Sequence, residues 1–61
     1  MPIIQVNLFK GRTVEQKRKL VTAMTDAVVN SLGSKREDVR IILREMEKQD
    51  YAIAGKLSCD E

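Results

Sequence analysis

The sequence predicts an α/β fold: a strand, a helix and a second strand form a β-α-β unit with parallel strands, and a short extended piece follows that can close a C-terminal β-hairpin. Three observations carry this. Residues 2–9, PIIQVNLF, alternate in hydropathy. Residues 14–32 hold an apolar stripe near a 3.6-residue period, between a capping signal and a glycine. Residues 39–46, VRIILREM, are β-branched and apolar in their first half. Two strands joined through a helix pair in parallel, by a right-handed connection.

In the first strand Ile4, Val6 and Leu8 share one face, and Ile3, Gln5, Asn7 and Phe9 the other, so the strand is half-buried. Lys10-Gly11 ends it. Thr13-Val14-Glu15-Gln16 is a capping box, in which the Thr13 hydroxyl accepts from the Gln16 amide while the Gln16 side chain reaches back. The helix stripe comprises Val14, Leu20, Val21, Met24, Ala27, Val28 and Leu32. Lys17, Arg18 and Lys19 read as a solvated face. Gly33 suits the position after the helix. Ser34 to Asp38 is a polar connection, and Val39 to Met46 a more buried second strand. After the polar turn Lys48-Gln49-Asp50, Tyr51 to Gly55 is extended. Lys56 to Glu61 reads as a loosely held tail.

The 61 residues make a single domain spanning 1–61. A chain this short seldom buries enough apolar surface alone. With one cysteine and no histidine it has neither an internal disulfide nor a structural zinc site. A two-stranded sheet covered by one helix also leaves one sheet face and two strand edges open. Oligomerisation is therefore expected. The net charge of +2 is weak and its lysines and arginines are mixed with acids, which speaks against a nucleic-acid partner. No run reaches the length of a membrane span or resembles a signal peptide, so a soluble, cytoplasmic chain is expected, with Cys59 reduced and without a role.

The chemistry is constrained by what is missing. There is no histidine base, Ser-His-Asp set, Cys-His pair, phosphate-binding glycine loop or carboxylate cluster with metal spacing. No metal site is expected. Pro2 admits two readings. It tolerates the first position of a strand, or, once Met1 is removed, it is a secondary amine and a base. Apolar burial and nearby arginines would lower its pKa towards neutrality, where a general base works best. Arg12, beside Gly11, is either a carboxylate-binding fork or a solvated loop arginine. Arg40, between Val39 and Ile41, either faces a site completed by a neighbouring chain, pairs with an acid across an interface, or marks the exposed start of the strand. Arg44 has the same parity and reads as a surface salt bridge. Phe9 and Tyr51, the only aromatics, are packing residues or the apolar wall of a small pocket. Met24 and Met46 read as core.

Taken together, the stretches PIIQVNLFKGRTVEQK, VRIILREM and YAIAG resemble the 4-oxalocrotonate tautomerase family over essentially the whole chain. The first is specific, because Pro2, the strand, Gly11-Arg12 and the helix start come at fixed spacing. The resemblance implies a β-α-β unit with a small C-terminal hairpin, assembled as a homohexamer, a trimer of dimers; some relatives are heterohexamers. It implies that Met1 is removed and that the Pro2 nitrogen is the catalytic base. Arg12 would bind a substrate carboxylate. Arg40, from a neighbouring subunit, would polarise the 2-oxo and carboxylate end. Tyr51 stands where the family usually has Phe in an aromatic wall, and Phe9 at the strand end beside the site. The implied reaction is keto-enol tautomerisation of an unsaturated 2-oxo or 2-hydroxy dicarboxylate such as 2-hydroxymuconate, giving 2-oxo-3-hexenedioate, a step of aromatic-compound catabolism that needs no cofactor. Dehalogenation and decarboxylation occur among relatives with the same proline.

A competing class is a ribbon-helix-helix DNA-binding dimer, which also starts with a strand and a helix. It requires a second helix after Gly33, and VRIIL, lacking helical period, argues against one. A structural homo-oligomer in which Pro2 merely starts a strand is the other alternative.

Overall fold

The computed structural model describes residues 1–60. Strand β1 spans Ile3–Phe9, helix α1 Val14–Leu32 and strand β2 Arg40–Met46, with a single 3-10 turn at Arg36–Asp38 before β2. A second such turn, Lys48–Asp50, leads into β3 (Ala52–Ile53) and β4 (Lys56–Leu57), and a third closes the described chain at Ser58–Asp60. β1 and β2 pair in parallel, from Ile3 opposite Arg40 to Phe9 opposite Met46. β3 and β4 form a separate antiparallel hairpin. The second helix that a ribbon-helix-helix dimer needs is absent among the described residues: the β-branched run after Gly33 is β2.

The capping box closes as the sequence requires. The Gln16 N–H donates to Thr13 Oγ1 at 3.1 Å, and the Thr13 N–H to Gln16 Oε1 at 2.9 Å. At the other end Gly33 adopts φ 70°, and its N–H reaches the Val29 carbonyl at 3.0 Å. A left-handed residue there satisfies a carbonyl that the helix leaves open.

Burial alternates along β1, with Ile4, Val6 and Leu8 half-buried under α1 and Ile3, Gln5, Asn7 and Phe9 exposed. On β2, Ile41 and Leu43 are half-buried on the helix side, and Arg40, Ile42 and Arg44 lie on the open face. The helix contributes Leu20, Val21, Met24, Val28 and Val29. The stripe is shorter than its apolar pattern. Val14 and Leu32 at its two ends, and Ala27, are exposed. β2 is likewise less buried than its composition suggests, because helix covers only one of its faces.

Among the described residues none is fully buried. The slab measures 43 × 25 × 13 Å, one helix thick, with a radius of gyration of 14.6 Å. A compact chain of this length would have about 10.5 Å. Ile3, Ile42 and Ile53 are 58%, 46% and 62% exposed. A hydrophobic layer left open on this scale is covered by partners.

The C-terminal segment corrects the expectation of a loose tail. Lys56 and Leu57 pair with Ile53 and Ala52, and the Ser58 N–H donates to the Tyr51 carbonyl at 2.8 Å. Glu61 lies outside the described residues. The hairpin turns through Ala54 (φ 52°) and Gly55 (φ 83°), a pair of left-handed residues that matches the twist of two-residue hairpins.

Candidate functional site

The parallel β1–β2 ladder divides the sequence-predicted site residues into two groups. Pro2, half-buried, stands just before β1, and its carbonyl accepts the Arg40 N–H at 3.0 Å. Arg40 is the first residue of β2, exposed at the strand's beginning rather than inside a buried strand. Its guanidinium donates to the Glu37 carbonyl. Backbone adjacency does not bring the two functional groups together. Arg40 is opposite Ile3 and shares its open face, whereas Pro2, one residue earlier, has the parity of the helix side.

The second group lies at the far end of β1. Phe9 ends the strand, and its ring meets Tyr51 edge-on at 5.6 Å between centroids and 85° between planes. Gly11, at φ 123°, turns the chain in a conformation that disfavours any side chain, and Arg12 follows at the entrance to α1. Seven strand steps of about 3.3 Å separate Phe9 from Pro2 by roughly 23 Å. Pro2 with Arg40, and Phe9 with Arg12 and Tyr51, are therefore at opposite ends of one protomer.

Arg12 opens onto a groove of about 340 Å³ between the helix-side face of β1 and the first turns of α1, lined by Val6, Leu8, Arg12, Gln16, Lys17 and Leu20. Val6, Leu8 and Leu20 form its apolar lining, and Arg12, Gln16 and Lys17 its polar one. Arg12 has no acidic partner among the described residues. Lys17 does: its ammonium lies 2.9 Å from Glu45. Nearby, Lys10 pairs with Glu47 at 3.0 Å, and that hydrogen bond, reinforced by the Glu47 charge, pushes the lysine above its usual range.

Lys17 and Glu45 were not among the predicted site residues. Lys17 was assigned to a solvated face, yet it precedes Leu20 and Val21 by three and four positions, which places it on the buried stripe. Glu45 is the acid on the strand parity of Ile41 and Leu43. Those two signals together point to the pair. Arg44, expected in a surface salt bridge, has no ion-pair partner among the described residues. Met24 and Met46 are half-buried and Cys59 is exposed. No cluster of three or more metal-ligating side chains occurs among the described residues, and no helix there is long and apolar enough to cross a membrane.

The tautomerase enzyme family model matches residues 2–60. The chain is 43% identical over 60 residues to the 2-hydroxymuconate tautomerase of Bacillus subtilis, covering 98% of this chain and 97% of that one. Among solved structures, a 4-oxalocrotonate tautomerase isozyme from Methylibium petroleiphilum superposes with a TM-score of 0.92 at 46% identity, over 97% of this chain and 92% of that chain. The heterohexamer 4-oxalocrotonate tautomerase from Chloroflexus aurantiacus shares the fold, with a TM-score of 0.90 at 23% identity over 98% and 97% of the two chains.

Proposed function

The chain belongs to the tautomerase family, and from that membership we propose that it converts 2-hydroxymuconate, or a closely similar unsaturated 2-hydroxy dicarboxylate, to the 2-oxo-3-enoate, with the amine of Pro2 as the proton carrier after Met1 has been removed. With Met1 attached, the Pro2 nitrogen is a tertiary amide and has no basicity. Freed, it is a secondary amine. Neutral, it takes the proton of the enol hydroxyl at C2. The electron pair left on oxygen forms the carbonyl, the double bonds shift along the conjugated chain, and the prolinium returns the proton to C5. No atom is gained or lost, and nothing is oxidised or reduced.

Arg40 donates to the oxygen on which charge gathers, the task of a preorganised donor. Arg12 receives the distant carboxylate in its fork. Phe9 and Tyr51 supply an apolar wall that holds the conjugated chain and excludes water.

The observation that carries this reading is the separation of the two groups. A six-carbon dicarboxylate is far shorter than the roughly 23 Å between Pro2 and Phe9 at the Arg12 end of β1. Pro2 and Arg12 therefore act on one substrate only when they come from different copies. The free edge of β1 offers a route. Two β1 edges paired antiparallel about a two-fold axis at Val6 set Pro2 of one copy opposite Lys10 of the other, two residues from Arg12. Arg40, on the face opposite its own Pro2, serves the proline of another copy. Such sites belong to a homohexamer or another closed assembly of this chain, working in the cytoplasm without a cofactor.

The test is ketonisation of 2-hydroxymuconate followed by ultraviolet absorbance. The processed chain turns over. Pro2→Ala loses at least about a hundredfold in kcat, the usual contribution of a positioned base. Arg12→Ala acts mainly on KM. Full activity in Pro2→Ala refutes the proposal.

A further inference from the structure

The groove at Arg12 has an asymmetric electrostatic lining. Its polar side chains are Arg12, Gln16 and Lys17. The acceptor oxygen of Gln16 is already engaged by the Thr13 N–H, so its amide presents donors. The groove therefore favours an anion with an apolar body lying on Val6, Leu8 and Leu20. Of its two cations, only Lys17 is compensated among the described residues.

The compensating pair is unlike the other ion pairs among the described residues. The side chains of Lys17 and Glu45 are 26% and 32% exposed, whereas those of the other three pairs range from 51% to 70%. It also ties the first turns of α1 to β2, between elements that no backbone hydrogen bond connects. Pairs as exposed as the other three contribute little. One that is partly withdrawn from water fixes both side chains and sets the local charge more effectively.

We propose that Lys17 is a specificity-determining and positioning residue of the carboxylate site, held against the groove wall by Glu45, which cancels its charge. The groove then carries one uncompensated positive charge, on Arg12, and is matched to one carboxylate. This rests on the reading that Arg12 receives a substrate carboxylate. Because the pair is neutral, removing either member changes the groove's charge by one unit in opposite senses. Glu45→Gln leaves Lys17 uncompensated and strengthens the attraction for an anion. Lys17→Gln leaves Glu45 uncompensated and weakens it. At roughly 8 Å, with an effective dielectric between the protein-surface and bulk-water values, one unit charge changes the affinity of a carboxylate by about fivefold.

The test measures the dissociation constant of trans,trans-muconate, a dicarboxylate lacking the reacting hydroxyl, by calorimetry on the processed assembled protein at low and high salt. Glu45→Gln is expected to bind about fivefold more tightly than the parent and Lys17→Gln about fivefold more weakly. The double variant returns close to the parent, Lys17→Arg keeps the parent value, and all differences shrink in high salt. Single variants that shift in the same direction, as loss of a merely structural pair would cause, overturn the proposal. So does a parent chain that does not bind muconate. Turnover of 2-hydroxymuconate is measured alongside, with the charge effects expected in KM rather than kcat. A parent that binds with this pattern but does not turn over supports the charge-setting role and refutes the tautomerase substrate instead.

Discussion

Mixing two impaired variants, assayed with substrate well below KM, should restore activity. Pro2→Ala removes the base and Arg12→Ala the carboxylate fork, and each alone is expected to be deeply impaired. Phe9, at the Arg12 end of β1, lies roughly 23 Å from Pro2, so on the proposed reading every complete site draws its proline and its Arg12 from different copies. If equal amounts are unfolded together and refolded, half the chains bring the proline and, independently, half bring the arginine. About one site in four is then complete, and the mixture should show about a quarter of the parent activity per chain. The assay is ketonisation of 2-hydroxymuconate before and after joint refolding, with separately refolded samples mixed afterwards as the control. Activity that stays at the sum of the two variants would show that one chain supplies both residues, contrary to the geometry of β1.

Other consequences follow from individual residues. Ala54 holds φ 52° ahead of Gly55, a place where asparagine is far better tolerated than alanine, so Ala54→Asn should raise stability by roughly 1 kcal/mol in denaturant titrations without altering the helix signal. Thr13→Ala removes the acceptor for the Gln16 N–H and should cost about 1 kcal/mol, read as a lower midpoint in thermal circular dichroism. The Lys10 ammonium is raised in the fold by Glu47, so this pair's contribution is complete below the lysine's unfolded value of 10.5 and is lost as pH rises through the higher folded value. The pair is exposed, so Glu47→Gln should leave the melting temperature at pH 7 nearly unchanged, and that small difference should narrow further as the pH is raised past the lysine's ordinary value of 10.5.

Local chemistry made most of the fold legible. Thr13 with Gln16, and Gly33, mark both ends of α1 because a capping box and a left-handed terminator act within a few residues. The alternation of Ile4, Val6 and Leu8 identifies the helix-side face of β1 in the same way. The pairing of the tail is not legible in the sequence because Lys56 and Leu57 lack a strand pattern of their own; the turn at Ala54-Gly55 and the Ser58 to Tyr51 hydrogen bond create it. Of the proposed site residues, Pro2, Arg12, Arg40, Phe9 and Tyr51 each admit an ordinary structural role on residue type alone, and it is the resemblance of the stretches that hold them to the tautomerase family that singles them out. Their division between two ends of the slab was not visible, since it depends on the parallel register of β1 and β2. The Lys17–Glu45 pair was missed for a related reason. Each residue looks like an ordinary surface charge until the helix is laid over the sheet.

The most direct test of the central claim is turnover of 2-hydroxymuconate measured on samples whose intact mass is known. One sample lacks Met1; the other retains it. The account predicts rapid ketonisation by the chain that begins at Pro2 and none above background by the chain in which that nitrogen is an amide. Equal turnover by both would contradict an amine-based mechanism and remove Pro2 from the chemistry.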